Sequence, residues 1–217
     1  MQPYFMPYAG YFRLLAVADI FVAFDCVQFP RRGWVHRNRL SDSAGTEKWL
    51  TLPLLKSDRD STRICDLCFR KEAQEEWLAE IMRFPSLVDL RKRGGDLAKI
   101  SFELSDRPVD YIIRGLQWSA RTLGLDRPIV RSSDLAIEPT LKAQERIIEV
   151  VRRVGGHEYI NAPGGRAIYS KEAFDAAGIK LHFLSDYVGK FSSVLERFVF
   201  ESPDTIRAEI ERNLQLD

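Results

Sequence analysis

The run Ile20-Phe-Val-Ala-Phe24 constrains the fold more than any other stretch. It is short, rich in β-branched and aromatic residues, and apolar at every position. A strand sends successive side chains to opposite faces, so a run with no polar position must be covered on both. That suits a central strand of a parallel sheet, with helices on both faces. Asp25 closes the run. Open α/β sheets bind ligands beyond the carboxyl ends of their strands, which makes Asp25 a candidate site residue. The plainer reading is that it caps a turn.

The second half of the chain points to the same class. Arg127–Ser133, His157–Ile160 and Ile179–Phe183 read as strands, and Glu138–Val154 and Lys171–Ala177 between them read as helices. Such alternation is the pattern of an α/β fold with a mainly parallel sheet. Ser132 and Ser133 end one strand, either as a pair of ligand-binding hydroxyls or as ordinary turn residues. Asn161-Ala-Pro-Gly-Gly-Arg166 follows another. Gly164 and Gly165 let a ligand approach the backbone, and Arg166 adds charge for a phosphate or carboxylate. The Lys-Ser/Thr ending of a phosphate-binding Walker loop is missing.

Elsewhere, Lys48–Leu54 reads as a strand that Pro53 confines to an edge. Arg63–Phe69 also reads as a strand. Helical patterns cover Lys71–Arg83, Ser86–Phe102 with a break at Gly94-Gly95, and Ser105–Leu123, where Ser105 is a natural N-cap. Phe191–Phe200 and Asp204–Leu214 read as closing helices. The expected organisation is one domain over residues 1–217, with a helical insert at 70–125.

Composition narrows the function. Net charge is +1, too balanced for a sequence-independent grip on DNA or RNA. No apolar run reaches the roughly 18–20 residues of a membrane span, and the N-terminus lacks the basic flank of a signal peptide. Three cysteines, an odd number, fit a reducing compartment, so the cytoplasm is expected. Cys65-x-x-Cys68 lacks the further ligands a zinc site needs, and core packing is the better reading.

Polar, aromatic and glycine residues crowd the first forty positions in an order that packing does not demand. Gln2, Tyr8, Gly10 and Tyr11 precede the apolar run; Gln28, Trp34, His36, Arg37, Asn38 and Arg39 follow it. Gln2-Pro3, Pro7, Gly10-Tyr-Phe12, Ala18-Asp19, Asp25, Val27-Gln28 and Trp34-Val-His-Arg-Asn-Arg-Leu40 resemble the opening signature of the WbqC-like family. The resemblance resumes at Trp49–Pro53, Ser132-Ser133, Tyr159–Arg166 with Tyr169, and Phe174 to Phe183. It implies a protein encoded among genes for O-antigen and other surface glycans. Three features depart from the family pattern. Cys26 replaces an acidic residue, the segment from Asp186 to Ser192 is short, and Met1 stands where a short apolar strand would precede Gln2. That last departure raises the expectation that a first strand lies ahead of Met1.

The order glycine, helix, strand, Gln-Phe is also similar in layout to the opening of HIGH-type nucleotidyltransferases and pantoate ligases. There Tyr8 and Tyr11 would take the places of two histidines that bind nucleotide phosphates. Tyrosine donates a hydrogen bond but carries no positive charge near pH 7, so an arginine would have to supply it.

The leading expectation is an enzyme of surface-polysaccharide or related natural-product assembly. It would bind an anionic, phosphate-bearing or nucleotide-activated substrate, with Mg²⁺ accompanying a nucleotide, and transfer an acyl, aminoacyl or nucleotidyl group. Asp25, Tyr11 and Arg37 are the catalytic candidates. Gln2, Tyr8, Gly10, Gln28, Trp34, His36, Asn38, Arg39, Ser132, Ser133, Gly164, Gly165 and Tyr169 are the binding candidates. The alternative is a non-catalytic nucleotide-sugar or glycan-binding partner of another enzyme. A third reading, an RNA binder, has only Arg31 to Arg39 with Trp34 to rest on.

Overall fold

The apolar run becomes β1 (Phe21–Ala23), which pairs in parallel with β4 (Ile129–Arg131). The computed structural model describes residues 1–56, 61–104 and 107–217. The class is α/β, as expected. The parallel strands do not form one continuous sheet, however. β5 (Glu158–Asn161) pairs in parallel with β6 (Lys180–Phe183) as a separate two-stranded sheet. The third sheet is an antiparallel hairpin of β2 (Arg37–Ser41) and β3 (Glu47–Thr51). Its turn is built by Asp42, whose carboxylate accepts from the amides of Ala44 and Thr46.

Arg63–Phe69 is not a strand. Ile64–Asp66 forms a single 3-10 turn, and Gln28 and Leu54 meet Arg63 and Phe69 in isolated bridges. The reason lies in the spacing of Ile64 and Leu67, both fully buried. Residues three apart eclipse one another in a 3-10 turn but fall on opposite faces of a strand.

The helical stretches follow. α1 (Arg13–Val17) precedes β1; α2 (Ala73–Ile81), α3 (Pro85–Arg93), α4 (Asp96–Phe102) and α5 (Pro108–Thr122) come before β4. Gly94 and Gly95 take φ of +68° and +86°, so the chain breaks there into two helices. The expected cap Ser105 lies outside the described residues. On α5 the stripe Val109, Ile112, Ile113, Leu116 is buried, as its period requires.

The N-terminal loop plugs into these helices. Phe5 packs between Trp77 of α2 and Tyr111 of α5, with ring centroids 5.8 and 6.0 Å away. Trp77 Nε1 and Tyr111 Oη both donate to the carbonyl of Ser101. A second, smaller core joins α6 (Ala143–Arg153), α7 (Lys171–Ala176) and β6 through Ile147, Val151, Phe174, Ile179 and Leu181. α8 (Val194–Phe200) and α9 (Pro203–Glu211) close the described chain. Among the described residues no helix is long and apolar enough to cross a membrane.

Candidate functional site

The β1–β4 register brings Ala23 opposite Arg131. The next residues of both strands therefore leave the sheet side by side. Asp25 comes from one, and Ser132-Ser133 from the other as the start of a 3-10 turn. The Asp25 carboxylate has no solvent exposure. It accepts from Arg131 Nε at 2.8 Å, Ser132 Oγ at 3.1 Å, the Ser133 amide at 2.9 Å and Ser133 Oγ at 2.9 Å. Four donors match the roughly four lone-pair positions of a carboxylate. Ser132 Oγ in turn accepts from the amides of Asp25 and Cys26. In this state Asp25 holds the two strand ends in register and has no lone pair left over for a substrate proton.

Arg131 extends the network to α5, where its Nη1 donates to Asp110 at 2.7 Å. Burial works against its charge, but the hydrogen bond to Asp25 and the carboxylates of Asp25 and Asp110 outweigh burial. Its pKa lies above that of an ordinary arginine. Arg146, in the first turn of α6, reaches the same strand end. Its Nη1 lies 3.5 Å from the Cys26 carbonyl and 3.6 Å from the Cys26 sulfur. Its other nitrogens donate to the carbonyls of Leu141 and Pro139. Among the described residues no carboxylate is ion-paired with Arg146, so its charge is not locally balanced. On the same turn, Gln144 accepts from the amide of Ser170, tying this end of the fold to the loop after β5.

The other sequence candidates fall into three groups. Arg37, Arg39 and Trp34 gather on the outer face of the hairpin with Trp49. The guanidiniums of Arg37 and Arg39 lie 4.1 and 4.7 Å from the Trp49 ring centre, and Trp34 packs against Trp49 at 5.2 Å. Gln28 is exposed at a depression shared with Arg31 and Arg32.

A second group is packed into the N-terminal loop. Tyr11 is buried and donates to the Gln2 carbonyl at 2.8 Å. Burial, reinforced by Tyr4, pushes its pKa well above the ordinary phenol value. Tyr8 packs on Tyr187 and Phe191. Asn38 points inward and donates to the carbonyls of Phe5 and Met6. At Gly10 an added Cβ would sit 2.4 Å from the Tyr8 ring and 2.7 Å from the Tyr187 ring. The glycine leaves room for two aromatic rings, and the similarity of layout to HIGH-type enzymes gains no support from this geometry. Gly10→Ala is expected to cost about 1–3 kcal/mol by overpacking, read as a lower midpoint in urea unfolding.

In the third group, Gly164 and Gly165 belong to a 3-10 turn after β5, and Tyr169 packs edge-on to Tyr159 and Phe174. The neighbouring Arg166 is engaged by Asp217 and by the Leu184 carbonyl.

His36 packs edge-on against Phe29 at 4.9 Å, and among the described residues its buried Nδ1 has no hydrogen-bond partner. Burial, with Arg37 adding to it, lowers its pKa to about 4. In the unfolded chain it takes up a proton near pH 6.5. The unfolded state therefore binds more protons between those values, and stability falls as pH drops from about 6.5 to about 4. After screening at this partly exposed ring, the loss is on the order of 2 kcal/mol. His36→Phe is expected to remove that part of the pH dependence, measured as the difference in melting temperature between pH 7 and pH 4.

Cys26, Cys65 and Cys68 are free thiols. Burial, then the Asp66 charge, raises Cys65 to about 11, so it is a poor nucleophile at neutral pH. Among the described residues no cluster of three or more His, Cys, Asp or Glu side chains is placed to hold a metal ion.

Sequence reasoning missed Arg131 and Arg146. Arg131 carried one usable signal, its place as the last strand residue before the serine pair. Arg146 carried none, because an arginine in an amphipathic helix reads as solvated surface.

The uncharacterized protein Rv1507c of Mycobacterium tuberculosis is 25% identical over 192 residues, covering 87% of this chain and 81% of that protein. No solved structure matches the chain. The profile of the WbqC-like protein family matches residues 2–200, taking in the N-terminal loop, the Asp25 network and the loop after β5. The chain belongs to the WbqC-like protein family.

Proposed function

We propose that the chain is an enzyme of surface-polysaccharide or related natural-product biosynthesis. It binds a phosphate-bearing or nucleotide-activated substrate beyond the carboxyl ends of β1 and β4, and transfers an acyl, aminoacyl or nucleotidyl group. The observation that carries this reading is Arg146. Its guanidinium lies beside the end of β1, held by carbonyls and, among the described residues, ion-paired with no carboxylate. A positive charge fixed by neutral partners keeps its attraction for an anion. The Asp25 network fixes the floor of the site, with the Ser133 hydroxyl at its partly exposed edge.

The saturation of the Asp25 carboxylate also favours a second reading. A floor with no free lone pair suits a non-catalytic nucleotide-sugar or glycan-binding partner of another enzyme. The two readings share a ligand and differ in turnover.

The first test is melting temperature against a panel of nucleotides and nucleotide sugars, with and without Mg²⁺. A ligand at about 100 times its dissociation constant adds about 2.7 kcal/mol to the folded state. At least one anionic ligand is expected to raise the melting temperature, and Arg146→Gln to abolish that rise while Arg37→Ala leaves it. If Arg37→Ala alone abolishes it, the ligand sits on the hairpin face. If no ligand on the panel shifts the protein, the anionic-substrate reading fails. A ligand that binds but is never converted supports the non-catalytic partner.

A further inference from the structure

The first turn of α3 is buried and has no side-chain cap. Phe84 stands at the cap position, and Pro85 after it has no N–H to satisfy. The amides of Leu87 and Val88 both donate to the Phe84 carbonyl. The Ser86 amide has no partner among the described residues, and neither does the Ser86 hydroxyl, although the residue is only 2% exposed. A buried helix end ordinarily finds partners for its amides, and an unpaired buried polar group costs stability. Two unmet donors on one buried residue ask for an acceptor.

Ser86 lines a cleft of about 490 Å³ between α3, the turn of the β2–β3 hairpin, and α8 with the loop before it. The cleft shares no residue with the Asp25 network or Arg146. Its other groups are only partly used. Each carboxylate oxygen of Glu196 takes one bond, from the amide and the hydroxyl of Ser41, so about half of its lone pairs remain. Asp42 spends Oδ1 on the hairpin turn, and its Oδ2 has no partner among the described residues. Lys190 gives one of its three ammonium protons to Glu201. Phe200 adds an apolar wall that is 64% exposed.

Charge selects the class of ligand. Asp42, Glu196 and Glu201 line the cleft against Lys190 and Arg197, and Arg197 is shared with Glu209. The excess is negative, so a phosphate or carboxylate is repelled. An uncharged ligand has to donate to the carboxylates and accept from Ser86 and Lys190. A sugar hydroxyl does both, and the C–H face of a sugar ring complements the negative face of an aromatic ring.

We propose that this cleft binds a neutral glycosyl residue. Its oxygens accept from the Ser86 amide and hydroxyl, the latter redirected by a single χ1 step. Its hydroxyls donate to Glu196 and Asp42, and one ring face lies on Phe200. The volume is in the range of small-molecule sites. This site is separate from the anionic one beyond β1 and β4 and does not rest on that reading.

The test titrates the methyl glycosides of glucose, galactose, rhamnose and N-acetylglucosamine into the nitrogen-15-labelled full chain and follows backbone amide shifts. Inorganic phosphate is titrated separately. At least one glycoside is expected to bind with a dissociation constant of about 1 mM or tighter and to shift the Ser86, Ser43 and Phe200 amides, while phosphate shifts none of the three. Ser86→Ala is expected to weaken that binding about threefold or more. It is expected to leave the melting temperature unchanged or higher, because the hydroxyl it removes is unpaired in the unliganded protein. Phe200→Ala is expected to weaken binding about threefold or more, and Arg146→Gln to leave it unchanged. No saturable shift with any glycoside up to about 20 mM overturns the proposal. Binding that survives Ser86→Ala and Phe200→Ala together overturns it as well. Loss of binding in Arg146→Gln would move the sugar to the end of β1 and overturn this site alone. Saturable shifts at Ser86 with phosphate would overturn the neutral ligand.

Discussion

Asp25→Ala is expected to destabilise the protein by about 3–5 kcal/mol, the cost typical of removing one member of a buried, hydrogen-bonded charge pair. The carboxylate is the common acceptor for Arg131 Nε, the Ser132 and Ser133 hydroxyls, and the Ser133 amide. Its loss strands several donors where water has little access. Among the described residues, Arg131 would keep Asp110 alone as an ion-pair partner. Asp25→Asn is expected to cost less than alanine but still more than about 1 kcal/mol, because an amide offers one acceptor oxygen and turns an NH₂ group toward existing donors. Urea unfolding followed by tryptophan fluorescence reads both variants. A loss below about 1 kcal/mol for alanine would mean that water or a rearranged side chain replaces the carboxylate easily, and the network would no longer count as the floor of the site. The result also governs any activity assay, since an Asp25 variant that loses turnover has first to be shown folded.

The second large effect is expected at Arg197. This side chain is 2% exposed, yet it is charged and forms two forked pairs. It holds Glu201 one turn further on and Glu209 of α9, with all four N–O distances between 2.8 and 3.1 Å. Burial opposes its charge, but the two glutamates outweigh burial and raise its pKa. Glu209 also accepts from Tyr187 and from the Lys190 amide. Arg197→Met keeps most of the volume but leaves Glu209 without its cation and Glu201 with only the exposed Lys190, for a loss of about 3–5 kcal/mol. Adding Glu209→Gln is expected to recover part of the loss, measured as a non-additive double-variant cycle. Full additivity would show that the two side chains do not act as a pair.

How far the sequence reaches is seen best at Asp25. Its place at a strand end was legible from Ile20–Phe24, and the serine pair was legible as the end of another strand. Their meeting was not, because a hydrogen bond between positions 107 apart leaves no local trace. The strand and helix alternation from Arg127 to Phe183 was readable because each element there carries its own period and its own glycine or proline boundary. Arg63–Phe69 was misread because Ile64 and Leu67 sit in a window too short to separate a period of two from a period of three. Ile20 shows a different limit, being 38% exposed although it belongs to the apolar run. In the N-terminal loop, a tyrosine that fills a core and a tyrosine that touches a ligand look the same in a sequence. Only neighbours such as Tyr187 and Phe191, far along the chain, distinguish them.

One carbonyl oxygen sets the order in which the molecule can be completed. Met6 holds a φ of +42°, a conformation that non-glycine residues seldom adopt. Its oxygen is gripped by Asn38 from one side and Ser193 from the other, across sequence separations of 32 and 187 residues. During synthesis Met6 and Asn38 emerge well before Ser193, so one of the loop's two clasps is made much later than the other. The loop has to wait, half held by the hairpin, until the final helices arrive. The loop around Met6 thus becomes rigid only after Ser193 is in place, and the closure spans 187 residues of chain.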